Sequence, residues 1–137
     1  MSIESNKQVV QEFFRAMSNG DLEGALAVLN AEIVWTIIGD TPVSKTFRGI
    51  KDLEENCVSE IIQNVKLEAG ITLEVVELIG EGDKVVARVQ GTCDAKYGPY
   101  NNTYCHVFTV RDGKIVEDIE YLDTTLIHKS WYGRTVS

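Results

Sequence analysis

The sequence predicts an α+β fold in which N-terminal helices and a curved antiparallel sheet form a cone around a pocket. Apolar residues recur at helical spacing before Gly70 and at every second position after it. The resulting order is helix, helix, strand, helix and then four consecutive strands, and helices that precede an antiparallel meander are typical of α+β folds. The 137 residues show no linker and no repeat, so we predict a single domain over 1–137.

Two helices are expected at the N-terminus. Four apolar residues fall at i, i+3, i+4 and i+7 and predict an amphipathic helix: Val10, Phe13, Phe14 and Met17. The pair Asn19-Gly20 predicts the end of this helix. Asp21 predicts the start of a second helix, whose apolar stripe would be Leu22, Ala25, Leu26 and Leu29.

The middle of the chain is expected to form a strand, a loop and a third helix. Residues 33–38, with the sequence IVWTII, are mostly β-branched or aromatic and predict a strand. The glycines and proline within residues 39–49 indicate a loop. The third helix is predicted over 50–65 and is expected to lie across the concave face of the sheet, with these residues turned inward: Ile50, Leu53, Cys57, Ile61 and Val65.

Four strands are predicted after Gly70. Their ranges are 71–80, 84–94, 103–110 and 114–123, with tight connections at 81–83 and 111–113. Residues 95–102 are interpreted as a longer connection. The tail from Thr124 shows no clear period, and no element is predicted for it.

Composition and charge exclude several classes of partner. The net charge of −8 repels the phosphates of nucleic acids and anionic lipids, so we expect no nucleic-acid partner and no membrane partner. The three cysteines lie far apart without a C-x-x-C pair, which indicates neither a disulfide framework nor a zinc site. Free thiols and the lack of a signal-peptide pattern predict a cytoplasmic protein. Neither a glycine-rich phosphate loop nor a metal-ligand cluster is visible, so no cofactor and no metal are expected.

The last predicted hairpin carries the residues best suited to chemistry. His106 lies on its first strand, and Asp118 and Glu120 lie on its second strand. If Asp112-Gly113 is a two-residue turn, Glu120 points away from the face that carries His106. If residues 111–113 form a three-residue loop, His106 lies opposite Asp118 and diagonally to Glu120 on the same face.

The three-residue loop is the interpretation that we favour. This loop places six residues on one face of the hairpin, half of them apolar and half polar, and we call this face the wall: Tyr104, His106, Phe108, Val116, Glu120 and Leu122. It also groups an apolar reverse face that would suit a homodimer interface: Val107, Thr109, Ile115, Ile119 and Tyr121. Arg88 and Gln90 would join the wall if the polar residues of their strand face inward, while Asp118 and Asp123 are interpreted as rim or structural acids.

Three stretches carry a resemblance to a known superfamily. They are NGDLEGAL between the first two helices, FRG before the third helix, and RDGKIVEDIEYLD in the last hairpin. With the order of elements, they resemble the nuclear transport factor 2-like, or cystatin-like, superfamily, and more narrowly its SnoaL-like members, over residues 9–123. The resemblance implies the cone-shaped fold, whereas many chemistries and also pure binding modules occur on it.

Three enzymes of this superfamily suggest different uses of the same residues. In the resemblance to the SnoaL polyketide cyclase, His106 and Glu120 match a catalytic histidine and aspartate. In the resemblance to limonene-epoxide hydrolase, Arg88 and Glu120 match, but Gln90 replaces an aspartate. Ketosteroid isomerase has an aspartate base where this chain has Ile37, so that steroid isomerisation is not expected.

Residues and resemblance together predict a SnoaL-like enzyme: an isomerase, a cyclase or an epoxide-hydrolase-like protein. We expect it to act on an apolar or aromatic small molecule by acid–base catalysis without a cofactor. The reaction would be isomerisation, aldol cyclisation or water addition. His106 would move the proton, because the pKa of imidazole lies near neutrality. Glu120 would orient His106 or activate water, and Arg88 would hold Glu120 or a developing oxyanion.

Contacts with the substrate are expected from a larger set: Trp35, Gln90, Phe13, Phe14, Tyr104, Phe108 and Leu122. The alternative is a non-catalytic ligand-binding or dimerisation module of the same fold. His106 would then be a half-buried structural histidine, and the sequence leaves this alternative open.

Overall fold

The computed structural model describes residues 2–136. Its helices are α1 (Ile3–Ser18), α2 (Leu22–Ala27), α3 (Ile50–Leu53), α4 (Ser59–Asn64) and α5 (Thr124–Tyr132). Its strands are β1 (Leu29–Ile37), β2 (Thr46–Arg48), β3 (Thr72–Glu81), β4 (Lys84–Thr92), β5 (Asp94–Ala95), β6 (Gly98–Pro99), β7 (Thr103–Arg111) and β8 (Lys114–Leu122). A π-helical turn at Glu54–Val58 joins α3 to α4, and a 3₁₀ turn at Leu67–Ala69 precedes β3. No helix within residues 2–136 is long and apolar enough to cross a membrane.

The main sheet has six strands in the order β2-β1-β8-β7-β4-β3, and β5 pairs with β6 as a separate small hairpin. Neighbouring strands of the main sheet run antiparallel except β1 and β8, which are parallel. The sheet is curved and does not close into a barrel. The predicted α+β fold, with helices ahead of a curved sheet, is therefore confirmed.

Helix α1 covers most of the concave side of the sheet. Its buried side chains Val10, Phe13 and Phe14 face strands β3, β4, β7 and β8. Complete burial of an apolar side chain of this size stabilises the fold by about 1.5–3 kcal/mol. The expectation that the helix at 50–65 crosses the sheet is not met, since its first segment, α3, packs on β1 and β2 instead.

The C-terminal tail forms a helix that the sequence analysis did not predict. The Asp123 side chain accepts a hydrogen bond from the backbone N–H of Leu126, which caps the start of α5. Gly133, with φ 64°, follows its last turn. The helix buries Ile127 and Trp131, which are spaced four residues apart, but nine residues are too few for a clear period.

The turn between β7 and β8 differs from the three-residue loop that we favoured. Asp112 and Gly113 have φ values of 51° and 76°, and Arg111 pairs with Lys114 around them. Two successive positive φ angles define a two-residue type I′ turn, which an Asp-Gly pair favours. The favoured loop is wrong, and the two-residue turn is present.

The two-residue turn alone would point Glu120 away from the face that carries His106, but a β-bulge reverses this. The pairing of β7 with β8 shifts between Thr109 and Val110, so that Val116 is an extra residue on β8. Beyond the bulge, His106 lies directly opposite Glu120. One inserted residue turns every following side chain of β8 to the other face, and Glu120 therefore shares the concave face with His106.

The bulge also changes the reverse face of the sheet. Ile115 was expected there, but it is fully buried in the core. Thr109 is also buried, and its hydroxyl group accepts a hydrogen bond from Lys84. Val107, Ile119 and Tyr121 remain on the convex face, where they are partly or largely exposed.

We predict that Gly113→Ala destabilises the domain by about 1–2 kcal/mol, because a side chain with a Cβ atom is strained at a left-handed φ. The measurement is the free energy of unfolding from urea denaturation. An unchanged free energy of unfolding would show that the turn relaxes without strain and would contradict the type I′ geometry.

Candidate active site

A cavity of about 510 Å³ lies between the helices and the concave face of the sheet. Its volume is within the usual range for small-molecule sites, about 300–1,000 Å³. Its lining is mostly aliphatic and aromatic, and it includes five of the expected contact residues: Phe13, Phe14, Trp35, Tyr104 and Leu122. His106 and Glu120 also line it. Phe108 is fully buried behind this wall and contacts His106 rather than the cavity.

His106 is paired with Asp118 rather than with Glu120. The distance between His106 Nδ1 and Asp118 Oδ2 is 2.7 Å, and the two residues are 4% and 0% exposed. β7 supplies the histidine and β8 supplies the aspartate, which lies two residues before Glu120, the residue opposite His106. Because Nδ1 is occupied by the carboxylate, the other ring nitrogen, Nε2, is left for a molecule in the cavity.

Glu120 contributes a second carboxylate to the same wall. Its Oε1 accepts a hydrogen bond of 2.9 Å from the indole N–H of Trp35 on β1. One ligand atom from each of His106, Asp118 and Glu120 lies within 4.8 Å of the others. Glu120 therefore adds negative charge beside the pair and is oriented by Trp35, not by Arg88.

Burial and charge act in opposite directions on the pair. Burial lowers the pKa of His106, but the charge of Asp118, its hydrogen bond and the charge of Glu120 outweigh burial and raise that pKa. Burial raises the pKa of Asp118 to about 7, although the charge and hydrogen bond of His106 oppose this. The two groups therefore retain a proton near neutral pH more strongly than either would in water.

Aromatic rings hold the imidazole in one orientation. His106 stacks on Phe108 with ring centroids 5.2 Å apart and an angle of 5° between the planes. Tyr104, two residues before His106 on β7, also stacks on the imidazole, with ring centroids 5.7 Å apart. The rings of Phe14 and Trp35 meet the imidazole edge-on. A base that cannot rotate keeps its free nitrogen in a constant position relative to the cavity.

Other polar groups of the cavity are proton donors rather than bases. Burial raises the pKa of Tyr104 well above its ordinary value, and the charge of Glu120 acts in the same direction. Burial likewise raises the pKa of the Cys57 thiol, which lies in the π-helical turn. The Tyr104 hydroxyl group and the Cys57 thiol are therefore protonated at neutral pH, and Cys57 is a poor nucleophile.

Arg88 does not belong to this site. It lies on the convex face of the sheet, its side chain is 57% exposed, and it forms an ion pair of 3.1 Å with Glu77 of β3. The residues of β4 that face the core are the alternate set, Val85, Ala87 and Val89. The expected catalytic role of Arg88 is wrong because apolar side chains take the buried face of an alternating strand.

Gln90 is also on the convex face and is not a contact residue of the cavity. Its amide group donates to the backbone carbonyl groups of Gly91 and Asn102, and its oxygen accepts from the Thr103 hydroxyl group. Val116, expected in the inner wall, is the half-buried bulge residue.

Asp118 is a candidate functional residue that sequence reasoning did not assign to the site. The favoured register already paired His106 with Asp118, and Asp118 lies two residues before Glu120, on the same face of a regular strand. This spacing was a usable signal. The sequence analysis interprets Asp118 as a rim or structural acid, whereas the aspartate is completely buried beside His106.

A metal ion is a poorer interpretation of this cluster than a shared proton. Three potential ligands are present, but Asp118 Oδ2 already binds Nδ1 of His106, and Glu120 Oε1 already accepts from Trp35. A divalent ion bound through these two oxygens would displace both hydrogen bonds, although Oδ1 of Asp118 has no hydrogen-bond partner within residues 2–136. The donor set therefore fits proton transfer better than metal binding.

We predict that Asp118→Asn removes a pH dependence of stability. The folded-state pKa of Asp118, about 7, exceeds its ordinary value of 3.8, so its stabilising contribution is complete below about pH 4 and is lost as the pH rises through 7. The free energy of unfolding of the wild type, relative to that of Asp118→Asn, should fall over this window. The decrease should be at least about 1 kcal/mol, because a pKa difference of one corresponds to about 1.4 kcal/mol.

Urea denaturation of both proteins at several pH values between about 4 and 8 provides this measurement. Ionisation of the exposed carboxyl groups affects both proteins equally and cancels in the difference. Parallel curves for the two proteins would contradict the raised pKa of Asp118.

The fold and the site can be compared with known proteins. A sequence model described as a SnoaL-like domain matches residues 10–118. A nuclear transport factor 2-like protein of unknown function from Burkholderia pseudomallei is 23% identical, with a TM-score of 0.81 over 96% of this chain and 98% of that chain. Another nuclear transport factor 2-like protein, from Burkholderia xenovorans, is 27% identical, with a TM-score of 0.74 over the same shares of both chains.

A third similar structure is an LEH-like epoxide hydrolase from Mycobacterium tuberculosis. It is 19% identical, with a TM-score of 0.71 over 96% of this chain and 92% of that chain, a level that supports the fold alone. A search of curated proteins finds no significant match. The SnoaL-like match spans most of the chain, and the chain therefore belongs to the SnoaL-like family.

Proposed function

We propose that this protein is an enzyme that moves a proton next to a carbonyl group of an apolar small molecule, by acid–base catalysis without an organic cofactor. The observation that carries the proposal is the buried His106–Asp118 pair in the wall of a largely apolar cavity. A buried carboxylate that binds Nδ1 makes Nε2 of the same ring a stronger base. The product would be an isomerised double bond or an aldol-closed ring.

The chemical step follows from the positions of the donors and acceptors. Nε2 of His106 takes a proton from a carbon beside the carbonyl group, and the electrons of that C–H bond form a C=C bond while the carbonyl π electrons move onto oxygen. Asp118 and Glu120 stabilise the imidazolium ion that results. The Tyr104 hydroxyl group, which lines the cavity, is the candidate donor to the enolate oxygen.

Two outcomes complete the reaction. If the substrate carries a C=C bond next to the deprotonated carbon, a dienolate forms, and return of the proton from the imidazolium ion to the far carbon of the dienolate shifts the double bond. If the enolate carbon attacks a second carbonyl group of the same molecule, a ring closes and the proton goes to the new alkoxide. Water addition to an epoxide is less well supported, because Arg88, the residue that matched limonene-epoxide hydrolase, lies on the convex face.

We predict that the protein exchanges the protons beside the carbonyl group of apolar cyclic ketones for deuterium in deuterated water. Proton NMR spectroscopy follows this exchange without knowledge of the natural substrate. His106→Gln should lower the rate by about 10²–10⁴-fold, because a positioned base contributes that much. Asp118→Asn should lower it less, because the imidazole remains in place.

The matched control is His128→Gln, which makes the same substitution at the only other histidine of the sequence, a half-buried residue of α5 that does not line the cavity. It should exchange at the wild-type rate. If wild type and His106→Gln exchange equally over a panel of ketones that bind the protein, the catalytic proposal fails and a binding module replaces it.

We also propose that the convex face of the sheet forms a homodimer. Ile79, Val86, Val107 and Ile119 pair in one row across four neighbouring strands. Ile79 is 54% exposed and Tyr121 is 42% exposed at this face. A contiguous apolar row flanked by charged residues is a common form of subunit interface.

Light scattering should give the mass of a dimer for the wild type at micromolar concentration. Ile119→Lys should shift the mass toward that of a monomer, because an unpaired charge in the centre of an interface is strongly unfavourable. Lys51→Glu, an exposed charge change on α3, should leave the dimer intact. A monomeric wild type would contradict the assembly and would leave the cavity proposal unaffected.

A further inference from the structure

The cavity that contains His106 reaches the surface of the protein. His106 is 4% exposed, and its neighbours Phe14 and Trp35 are buried. Other lining residues are exposed, and we call them the mouth of the cavity: Gly20, Ile62, Leu67, Glu68 and Thr92. The lining therefore runs from a buried inner end, at His106, to an open end, at the mouth.

The residues of the mouth come together around the start of β3. The 3₁₀ turn that carries Leu67 precedes this strand, and Thr92 pairs with Thr72, its first residue. The hydroxyl group of Ser18, at the end of α1, forms hydrogen bonds with both backbone groups of Leu73 and holds the turn between α1 and α2 at the same place. The mouth is thus a single opening rather than a scatter of exposed residues.

The strand register gives the distance between the two ends. Ala87 lies opposite His106 in the pairing of β4 with β7, and Thr92 lies five residues further along β4. A strand advances by about 3.3 Å per residue, which places the mouth roughly 16 Å from His106 along the strand. An extended chain covers about 3.3–3.6 Å for every three bonds, so a chain of roughly 13 atoms spans this distance.

The two large side chains of the mouth are aliphatic and face solvent. Ile62 is 57% exposed and Leu67 is 41% exposed. Val58, four residues before Ile62, also lines the cavity, as does Ile71. Exposed apolar surface that continues into a cavity is typical of ligand-binding sites. A compact ligand at His106 would leave these side chains in solvent, whereas a chain that reaches the mouth would cover them, which is favourable.

The backbone beneath these side chains is held by contacts with neighbouring elements. The N–H group of Lys66 donates to the carbonyl oxygen of Asp94 at 2.8 Å, and the hydroxyl group of Tyr132 donates to Glu60 of α4 at 2.7 Å. An apolar surface fixed in this way is preorganised for a ligand, because little chain freedom is lost on binding.

The charges of the lining disfavour an anion. Within residues 2–136, neither a lysine nor an arginine lines the cavity, while an acid lies at each end, Glu120 beside His106 and Glu68 at the mouth. A carboxylate at the inner end would be buried beside negative charge without a counter-ion in the lining, which is strongly unfavourable. The lining thus favours an uncharged ligand.

We propose that the cavity binds an uncharged ketone with a long apolar chain, its carbonyl group at His106 and the far end of its chain against Ile62 and Leu67 at the mouth. The substrate class is therefore a long-chain ketone rather than a compact one. This inference rests on the proposed function for the end of the ligand that meets His106. Contact of the chain with the mouth is tested by binding alone.

A series of methyl ketones tests the length of the site: 2-hexanone, 2-nonanone and 2-tridecanone. Their dissociation constants follow from tryptophan fluorescence, because both tryptophans of the chain line the cavity. Each added methylene group should tighten binding by about 3- to 4-fold, the usual value for its burial. Dodecanoate, a chain of similar length that ends in a carboxylate, should bind more weakly than 2-tridecanone. Equal binding of the three ketones or tighter binding of dodecanoate would overturn the proposal.

A double variant tests the mouth itself. Ile62→Ser with Leu67→Ser should weaken 2-tridecanone by about 3- to 10-fold, equal to the loss of one or two buried methylene groups, and should leave 2-hexanone unchanged. The unchanged binding of 2-hexanone reports an intact cavity. The matched control is Ile3→Ser, at an isoleucine that is 40% exposed and does not line this cavity, and it should leave both ketones unchanged. A double variant that binds 2-tridecanone as the wild type does, or that weakens both ketones equally, would refute contact with the mouth.

The position of the chain end distinguishes this orientation from the reverse one. A hydroxyl group on the last carbon of 2-tridecanone should reach solvent at the mouth and leave the dissociation constant unchanged. The same group on the last carbon of 2-nonanone should be buried in the apolar lining and weaken binding by about 10-fold, because burial of a hydroxyl group without a partner is unfavourable. Equal losses for the two compounds would place the chain end inside the cavity and would overturn the proposal.

The two proposals can fail separately. If 2-tridecanone binds through the mouth but none of the ketones exchanges its protons for deuterium, the binding of the chain stands and the catalytic function fails. If exchange depends on His106 but the double variant binds 2-tridecanone as the wild type does, catalysis stands and the binding of the chain at the mouth fails.

Discussion

The site depends on a single inserted residue in the last strand. Val116 forms a bulge next to a two-residue turn, and the two features together decide which face of β8 carries its acids. Without the bulge, Asp118 and Glu120 would lie on the convex face, and Ile119 would lie opposite His106. Because side chains alternate along a strand, one residue is sufficient to exchange the two faces completely. Bulges are common beside active sites for this reason.

The bulge places the carboxyl group of Asp118 in the buried interior, where its charged form is unfavourable, and the surrounding residues hold it there. A fully buried carboxylate is unfavourable by itself, and its partner His106 offsets only part of that cost, so that the pKa of Asp118 still rises to about 7. The surrounding rings exclude water and keep the imidazole fixed between Phe108 and Tyr104. The same exclusion of water makes the charges effective on a bound molecule, since interactions are stronger where the dielectric is low.

Arg88 of β4 illustrates how a likeness in sequence can mislead. Arg88 matched a catalytic arginine of a related enzyme, but it alternates with Val85, Ala87 and Val89, which bury the opposite face. The apolar pattern of the strand was the stronger physical signal, because burial of an unpaired arginine is far more costly than its exposure. On the convex face Arg88 instead pairs with Glu77 across the neighbouring strand.

The sequence by itself determined the α+β fold, the position of the long first helix and the identities of the residues that could do chemistry in the last hairpin. These follow from local patterns: the spacing of Val10, Phe13 and Phe14, the end of the helix at Asn19-Gly20, and alternation along the strands. Only the tertiary structure decided that Asp118, not Glu120, holds His106, that Arg88 faces outward and that Trp131 lines the cavity. The physical reason is that a bulge depends on how two strands fit together, and a short helix such as α5 is stabilised by what it packs against, so neither is visible in local spacing.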